Sequence, residues 1–155
     1  MKIFLVLTIM LLCSCQNIEK HEQLEKEVID AIYKHIGWAI PDKKKDVVLK
    51  SIVPDTTFFI FNPDSAGTIS GYSNFEKLVD NFFMNPRFKS IDFTIKNLRV
   101  NISESRTVAW FSCLLDDYGQ WDGKPANWIN VRWTGVLEKR NNEWLISQMH
   151  FSYSK

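Results

Sequence analysis

The chain has 155 residues, 45% of them hydrophobic and 24% charged, a size and mixture that fit one domain and leave little room for two. Nineteen Lys and Arg against eighteen Asp and Glu give no basic footprint for nucleic acid, and six Gly and five Pro are too few for a disordered chain. Six Trp, eleven Phe and four Tyr exceed the aromatic surface that so small a core needs, which points to a lined cavity or a buried partner surface.

Met1-Lys2 precedes a mostly apolar run from Ile3 to Leu12. At about 1.5 Å per helical residue the run is too short for a hydrocarbon core of about 30 Å, and it has the layout of an export signal. It ends in Leu12-Cys13-Ser14-Cys15, which resembles the bacterial lipoprotein box. That resemblance implies a signal peptide over 1–14, acylation of Cys15, a linker over 15–17, one domain over 18–155 and an exported protein held at the bacterial cell envelope by lipid. Cys113 then stands alone in an apolar segment, without a disulfide partner, and reads as a buried small hydrophobe. Loss of 1–14 removes Lys2 and leaves eighteen basic and eighteen acidic side chains, so acyl chains rather than charge would hold the membrane.

From Ile18 to Ile36, Leu24, Val28, Ile29, Ile32, Tyr33 and Ile36 recur at helical spacing among charged residues, and Gly37 suits the end of that helix. His21 and His35 lie on this surface helix. A short second helix is predicted with Asp42 as N-cap and Val47, Val48 and Ile52 inward, closed by Pro54; Lys43-Lys44-Lys45 reads as a solvated face. Thr56 to Phe61 is rich in β-formers, stops at Asn62-Pro63-Asp64, and pairs as a hairpin with a strand around Thr68-Ile69-Ser70. Ser73-Asn74-Phe75-Glu76 has the form of a capping box and opens a third helix, which Asn85-Pro86 ends.

Beyond Pro86 the pattern is of long strands. Ile91, Phe93 and Ile95 alternate in one phase and Leu98, Val100 and Ile102 in the other, so an extra residue near Lys96-Asn97 predicts a β-bulge. Thr107 to Leu115 is nearly all apolar, which implies cover on both faces. Strands from Trp128 to Lys139 and from Glu143 to Tyr153 are joined by a turn at Arg140-Asn141-Asn142.

The last hairpin carries Arg132-x-Thr134-x-Val136, then Trp144-x-Ile146 and His150-x-Ser152, with Ala109-Trp110 on the strand before it. In these motifs and in element order, from about Ile18 to the end, the chain resembles the SnoaL-like branch of the nuclear transport factor 2-like superfamily. Gln148 stands where such relatives often carry another histidine, which weakens paired-histidine chemistry. The resemblance implies an α+β fold, a cone in which three N-terminal helices pack in a curved, mostly antiparallel sheet with a pocket at its open end. It also implies a homodimer through the outer sheet face.

Fold does not settle function here, because one such scaffold hosts enzymes and binding modules alike. If even-numbered side chains of the last strand face the hollow, Trp144, Ile146, Gln148, His150 and Ser152 line it. Trp128, Asn130, Arg132 and Thr134, with Trp110, Ser112 and Asp116, then complete an aromatic cavity for a small apolar molecule. Ile129, Val131, Trp133 and Leu137 fall outside, on the dimer face. An acid–base lyase, isomerase or hydrolase would use Asp116 and His150; against that, Asp116 pairs with Arg132 and Asp117 is solvated at the start of a loop. A third alternative is a dimeric adaptor with a residual pocket. Trp121 and Trp128 flank a loop at Asp122-Gly123-Lys124-Pro125 that can gate the mouth. No metal or other cofactor is expected, since no His, Cys or carboxylate cluster has ligand spacing.

Overall fold

In a computed structural model of the chain the residues described are 20–63 and 67–153; the export signal expected over 1–14, Cys15 and the Asp64 end of the first turn lie outside them. Helix α1, described over 20–36, buries the stripe Leu24, Val28 and Ile32. His35 lies three residues beyond Ile32 on that stripe and is buried, at 6% exposure, so the helix read as a surface element carries this histidine inward. Tyr33, expected inward, is 43% exposed.

A 3-10 turn at Gly37–Ala39 leads to α2, Lys45–Lys50. The helix starts too late for Asp42 to cap it; Lys44 holds that position without a side-chain bond, and Val48, Leu49 and Ile52 are buried. Strands β1, Phe59–Phe61, and β2, Thr68–Ser70, form the expected hairpin. Helix α3, Tyr72–Leu78, begins one residue before the expected capping box and has Gly71 at its N-cap. Ser73 and Glu76 therefore lie inside the helix, and no side-chain cap bond forms; the Tyr72 N–H is taken by the Asp55 carbonyl at 3.0 Å. The helix runs on as a π-helical turn, Val79–Phe83.

Strands β3 (Phe88–Ile102), β4 (Val108–Trp121), β5 (Lys124–Pro125), β6 (Trp128–Arg140) and β7 (Glu143–Ser152) follow. They join the hairpin in one curled sheet ordered β2-β1-β7-β6-β4-β3, with β5 on β4. Every pairing is antiparallel except β1 with β7. The helices sit against the concave face and share one core with it.

Bulges decide which side chains reach that core. The register shifts between Lys96 and Arg99, with Asn97 at φ 54°, where the phase change in β3 places a bulge. On β6 the pairs Leu115↔Val131 and Asp117↔Trp128 leave one extra residue, with Asn130 at φ 53°. On β7 the pairs Leu137↔Ile146 and Val136↔Gln148 leave Ser147 extra. Each extra residue reverses the alternation beyond it. Trp144 and Ile146 therefore face the core, as expected, but Met149 and Phe151 follow them inward while Gln148 and His150 are exposed. Val131, Trp133 and Leu137, expected outside, are fully buried, as are Ala109, Phe111 and Leu115 on β4. The apolar stretch of β4 is thus covered on one face by its own chain; Trp110 on the other is 47% exposed.

Candidate functional site

A cavity of about 480 Å³ opens between the helices and the concave sheet. Its wall is mostly apolar and aromatic: Trp38 and Ala39 come from the turn after α1, and Phe75, Leu78, Phe82 and Phe83 from α3 and its π-helical extension. Phe88, Trp128, Met149 and Phe151 come from the strands. The π-helical turn sets Phe82 and Phe83 on consecutive positions whose rings meet edge to face at 5.1 Å. Phe82 also stacks on Trp121 at the end of β4, ring centroids 5.1 Å apart and planes 15° apart. The Arg87 guanidinium covers Trp121 from 4.9 Å and pairs with Asp122. Trp121 is therefore held by contacts on both sides.

Two titratable side chains stand out in this wall. His35, in the last turn of α1, has Nδ1 2.8 Å from the Ser51 hydroxyl, and that hydroxyl donates to the Val48 carbonyl at 2.7 Å. With the Ser51 proton so used, Nδ1–H is the donor to its oxygen, the ring is the neutral Nδ1–H tautomer, and Nε2 is left as a bare acceptor. Burial pushes the imidazole pKa down to about 4, which keeps the ring neutral at physiological pH. Phe75 stacks on it at 6.3 Å and Trp133 lies 6.4 Å away. The indole N–H groups of Trp133 and Trp144 are both buried without a partner.

Asp117 faces the cavity from β4 because it continues the inward phase of Phe111, Cys113 and Leu115. Its cross-strand neighbours are Phe93 on β3 and Trp128 on β6, so the carboxyl lies among rings. Burial raises its pKa from the usual 3.8 to about 6, with no charged group acting on it. Asp117 is thus half-buried in the cavity wall, within β4, and not solvated at the start of a loop as expected.

Asp116 points to the other face. Lys96 Nζ lies 2.8 Å from each of its oxygens, the Asn130 backbone N–H donates to it at 2.8 Å, and these contacts hold its pKa low. Its ion-pair partner is Lys96, not Arg132 as expected. Register explains the choice: the bulge aims the Asn130 N–H at Asp116, whereas Arg132 pairs two positions back, opposite Leu114.

Of the residues expected at the site, Trp128 lines the cavity, brought inward by the bulge at Asn130. Trp110, Ser112, Asn130, Arg132, Thr134, Gln148 and His150 are exposed, and Ser152, paired with Arg132, is half-buried. His150 lies on the convex face, its ring 5.9 Å from Phe61. The structure thus does not bring His150 and Asp116 together at the cavity. His35 and Asp117 were not reached from sequence, although signals exist for both. His35 falls in register with Val28 and Ile32, and Asp117 with the odd-numbered apolar residues of β4. Cys113 is buried as expected, and burial pushes its thiol pKa up to about 12, which leaves it unreactive. Among the described residues, no group of three or more His, Cys, Asp or Glu is placed to hold a metal ion.

Helices set in a curled sheet around a cavity define the nuclear transport factor 2-like fold. Within it, the chain belongs to the SnoaL-like domain family, which matches residues 29–154. A nuclear transport factor 2-like protein from Prochlorococcus is similar with TM-score 0.64 and 14% identity, over 84% of this chain and 93% of its own. One from Pseudomonas putida has TM-score 0.62 and 15% identity, over 84% and 86%. A protein from Catenulispora acidiphila in complex with S-DNPA has TM-score 0.64 and 10% identity, over 84% and 94%. These likenesses are of fold. No curated protein matches the chain.

Proposed function

We propose that the chain is an exported, lipid-anchored binding domain that holds one small, largely apolar molecule between its helices and the concave sheet. The observation that carries this is the cavity of about 480 Å³, walled by aromatic rings with few polar groups, a size and lining suited to a drug-sized ligand. Native mass spectrometry of the purified chain tests it. A bound mass is expected on the wild type and not on Ala39→Phe, which fills the cavity from a buried wall position. A chain that neither carries nor takes up any apolar molecule rejects the proposal.

A second, enzymatic reading rests on a different observation: two titratable groups, Asp117 and His35, border one apolar space. A carboxyl whose pKa lies near the working pH is suited to move a proton to and from carbon or oxygen. This acid–base role replaces that of Asp116 and His150. An enzyme loses turnover in Asp117→Asn while keeping its ligand.

Anchoring rests on Leu12-Cys13-Ser14-Cys15; no helix of the described residues is long and apolar enough to cross a membrane. Labelled fatty acid is expected in the wild type and absent from Cys15→Ser. The convex face exposes Phe61, Trp110 and Ile129, each by nearly half, and association of two copies there would cover them.

A further inference from the structure

The polar groups of the cavity are unequal in a way that bears on what enters it. Asp117 is a carboxyl among rings with no cation beside it, whereas its neighbour Asp116 is fully served by Lys96 and the Asn130 N–H. His35 presents an acceptor, since its only donor is spent on Ser51. The remaining polar lining is Asn62, Ser90, Asn127 and Tyr153, and no Lys or Arg lines the space. Lys43 comes near, 5.4 Å over the Phe88 ring, but its ammonium is held by the Asn85 carbonyl at 2.7 Å and it is not part of the wall. The cavity therefore offers an unpaired anion and a bare acceptor inside an aromatic box. Such a box favours a cation through the ring faces as well, and disfavours an anion, which would meet Asp117 with nothing to neutralise either.

Resting on the binding-domain proposal, we infer that the ligand is a hydrophobic amine, an aromatic or alicyclic body whose protonated nitrogen pairs with Asp117. The titratable side chains in the cavity wall besides Asp117 are His35 on α1 and Tyr153 beyond β7. β3 and β6 turn Phe93 and Trp128 toward Asp117, and Lys96 is on the opposite face. None of these competes with an amine for the carboxylate.

The test is calorimetric titration of the full chain in lipid nanodiscs, corrected with protein-free nanodiscs. The probes are three matched ones: 2-(2-naphthyl)ethylamine, 3-(2-naphthyl)propanoate and 2-ethylnaphthalene. At pH 7.5 the amine is expected to bind at least about tenfold more tightly than either other probe, as one close charge pair supplies. Asp117→Asn is expected to remove that preference and leave 2-ethylnaphthalene unchanged, which also shows that the variant is folded. Lowering the pH to 5 should shrink the preference in the wild type only. If the propanoate binds as well as the amine, or the preference survives Asp117→Asn, the amine inference is overturned while binding of 2-ethylnaphthalene leaves the cavity reading standing. If none of the three binds, both fall.

Discussion

The two titratable groups of the cavity should imprint opposite pH dependences on stability. Asp117 keeps its proton up to about pH 6 in the folded chain, against an ordinary 3.8. Between those values the folded state binds more protons, so its contribution is complete below 3.8 and is lost as pH rises through 6. Its size is at most about 3 kcal/mol, from 1.36 kcal/mol per tenfold change in proton affinity. His35 works the other way. Its imidazole stays neutral down to about pH 4 when folded but charges near 6.5 when unfolded. Its contribution is complete above 6.5 and falls by about 3 kcal/mol on acidification to pH 4. Across that window the two slopes nearly cancel. Asp117→Asn removes one of them: the variant should be up to about 3 kcal/mol more stable than wild type at pH 7.5, equal to it near pH 4, and steeper in between. Urea unfolding followed by circular dichroism at a series of pH values reads this, and the difference between the two proteins removes other carboxylates such as Asp55 and Asp116. A difference that does not change between pH 7.5 and 4, or a variant less stable than wild type at pH 7.5, would refute the placement of an unpaired carboxyl in the cavity.

Gly135→Ala should destabilise the chain by about 1–3 kcal/mol, because a Cβ there would lie 2.5 Å from the Phe111 ring and 2.9 Å from the Gln148 carbonyl oxygen. Thermal unfolding should show part of that loss recovered in a Phe111→Leu background. Cys113, in a chain carrying Cys13→Ser and Cys15→Ser, should react with a disulfide reagent at pH 8 only after unfolding; rapid labelling of the native chain would contradict its burial. Trp110→Glu should give a monomer in sedimentation if two copies share the convex face, with the same fold by circular dichroism. The buried Trp133 is unsuitable for that experiment.

Much of this architecture is legible without coordinates, and one kind of error accounts for most of what is not. Periodicity places α1, both β-hairpins and the bulge in β3, where apolar residues visibly change phase between Ile95 and Leu98. The same change of phase occurs in β7, from Trp144 and Ile146 to Met149 and Phe151. Following the first pair alone puts His150 inside; following both puts it outside, where the structure has it. The β6 bulge is harder to see, since Trp128 and Val131 are separated by Ile129, another apolar residue, and only Asn130 at positive φ marks the break. Capping failed for a different reason. Helix α3 already starts at Tyr72, ahead of Ser73, with the Tyr72 N–H on the distant Asp55 carbonyl, a tertiary partner that local sequence does not announce.

The adjacent Asp116 and Asp117 show what these bulges accomplish. Alternation alone sends the two carboxylates to opposite faces, but it does not say which is served. The extra residue on β6 does: by taking the left-handed conformation, Asn130 offers its N–H to Asp116 and its side-chain oxygen to Lys96. This assembles a complete shell of donors on the convex side. On the concave side the same extra residue turns Trp128 inward opposite Asp117, which replaces a place for a polar partner with an indole ring. One insertion thus satisfies one carboxylate and isolates the other. Deleting Asn130 should reverse the asymmetry, since Trp128 would rotate to the convex face and Asp116 would lose a donor. In a crystal structure of that variant, Trp128 still lining the cavity would show that the bulge is not what isolates Asp117.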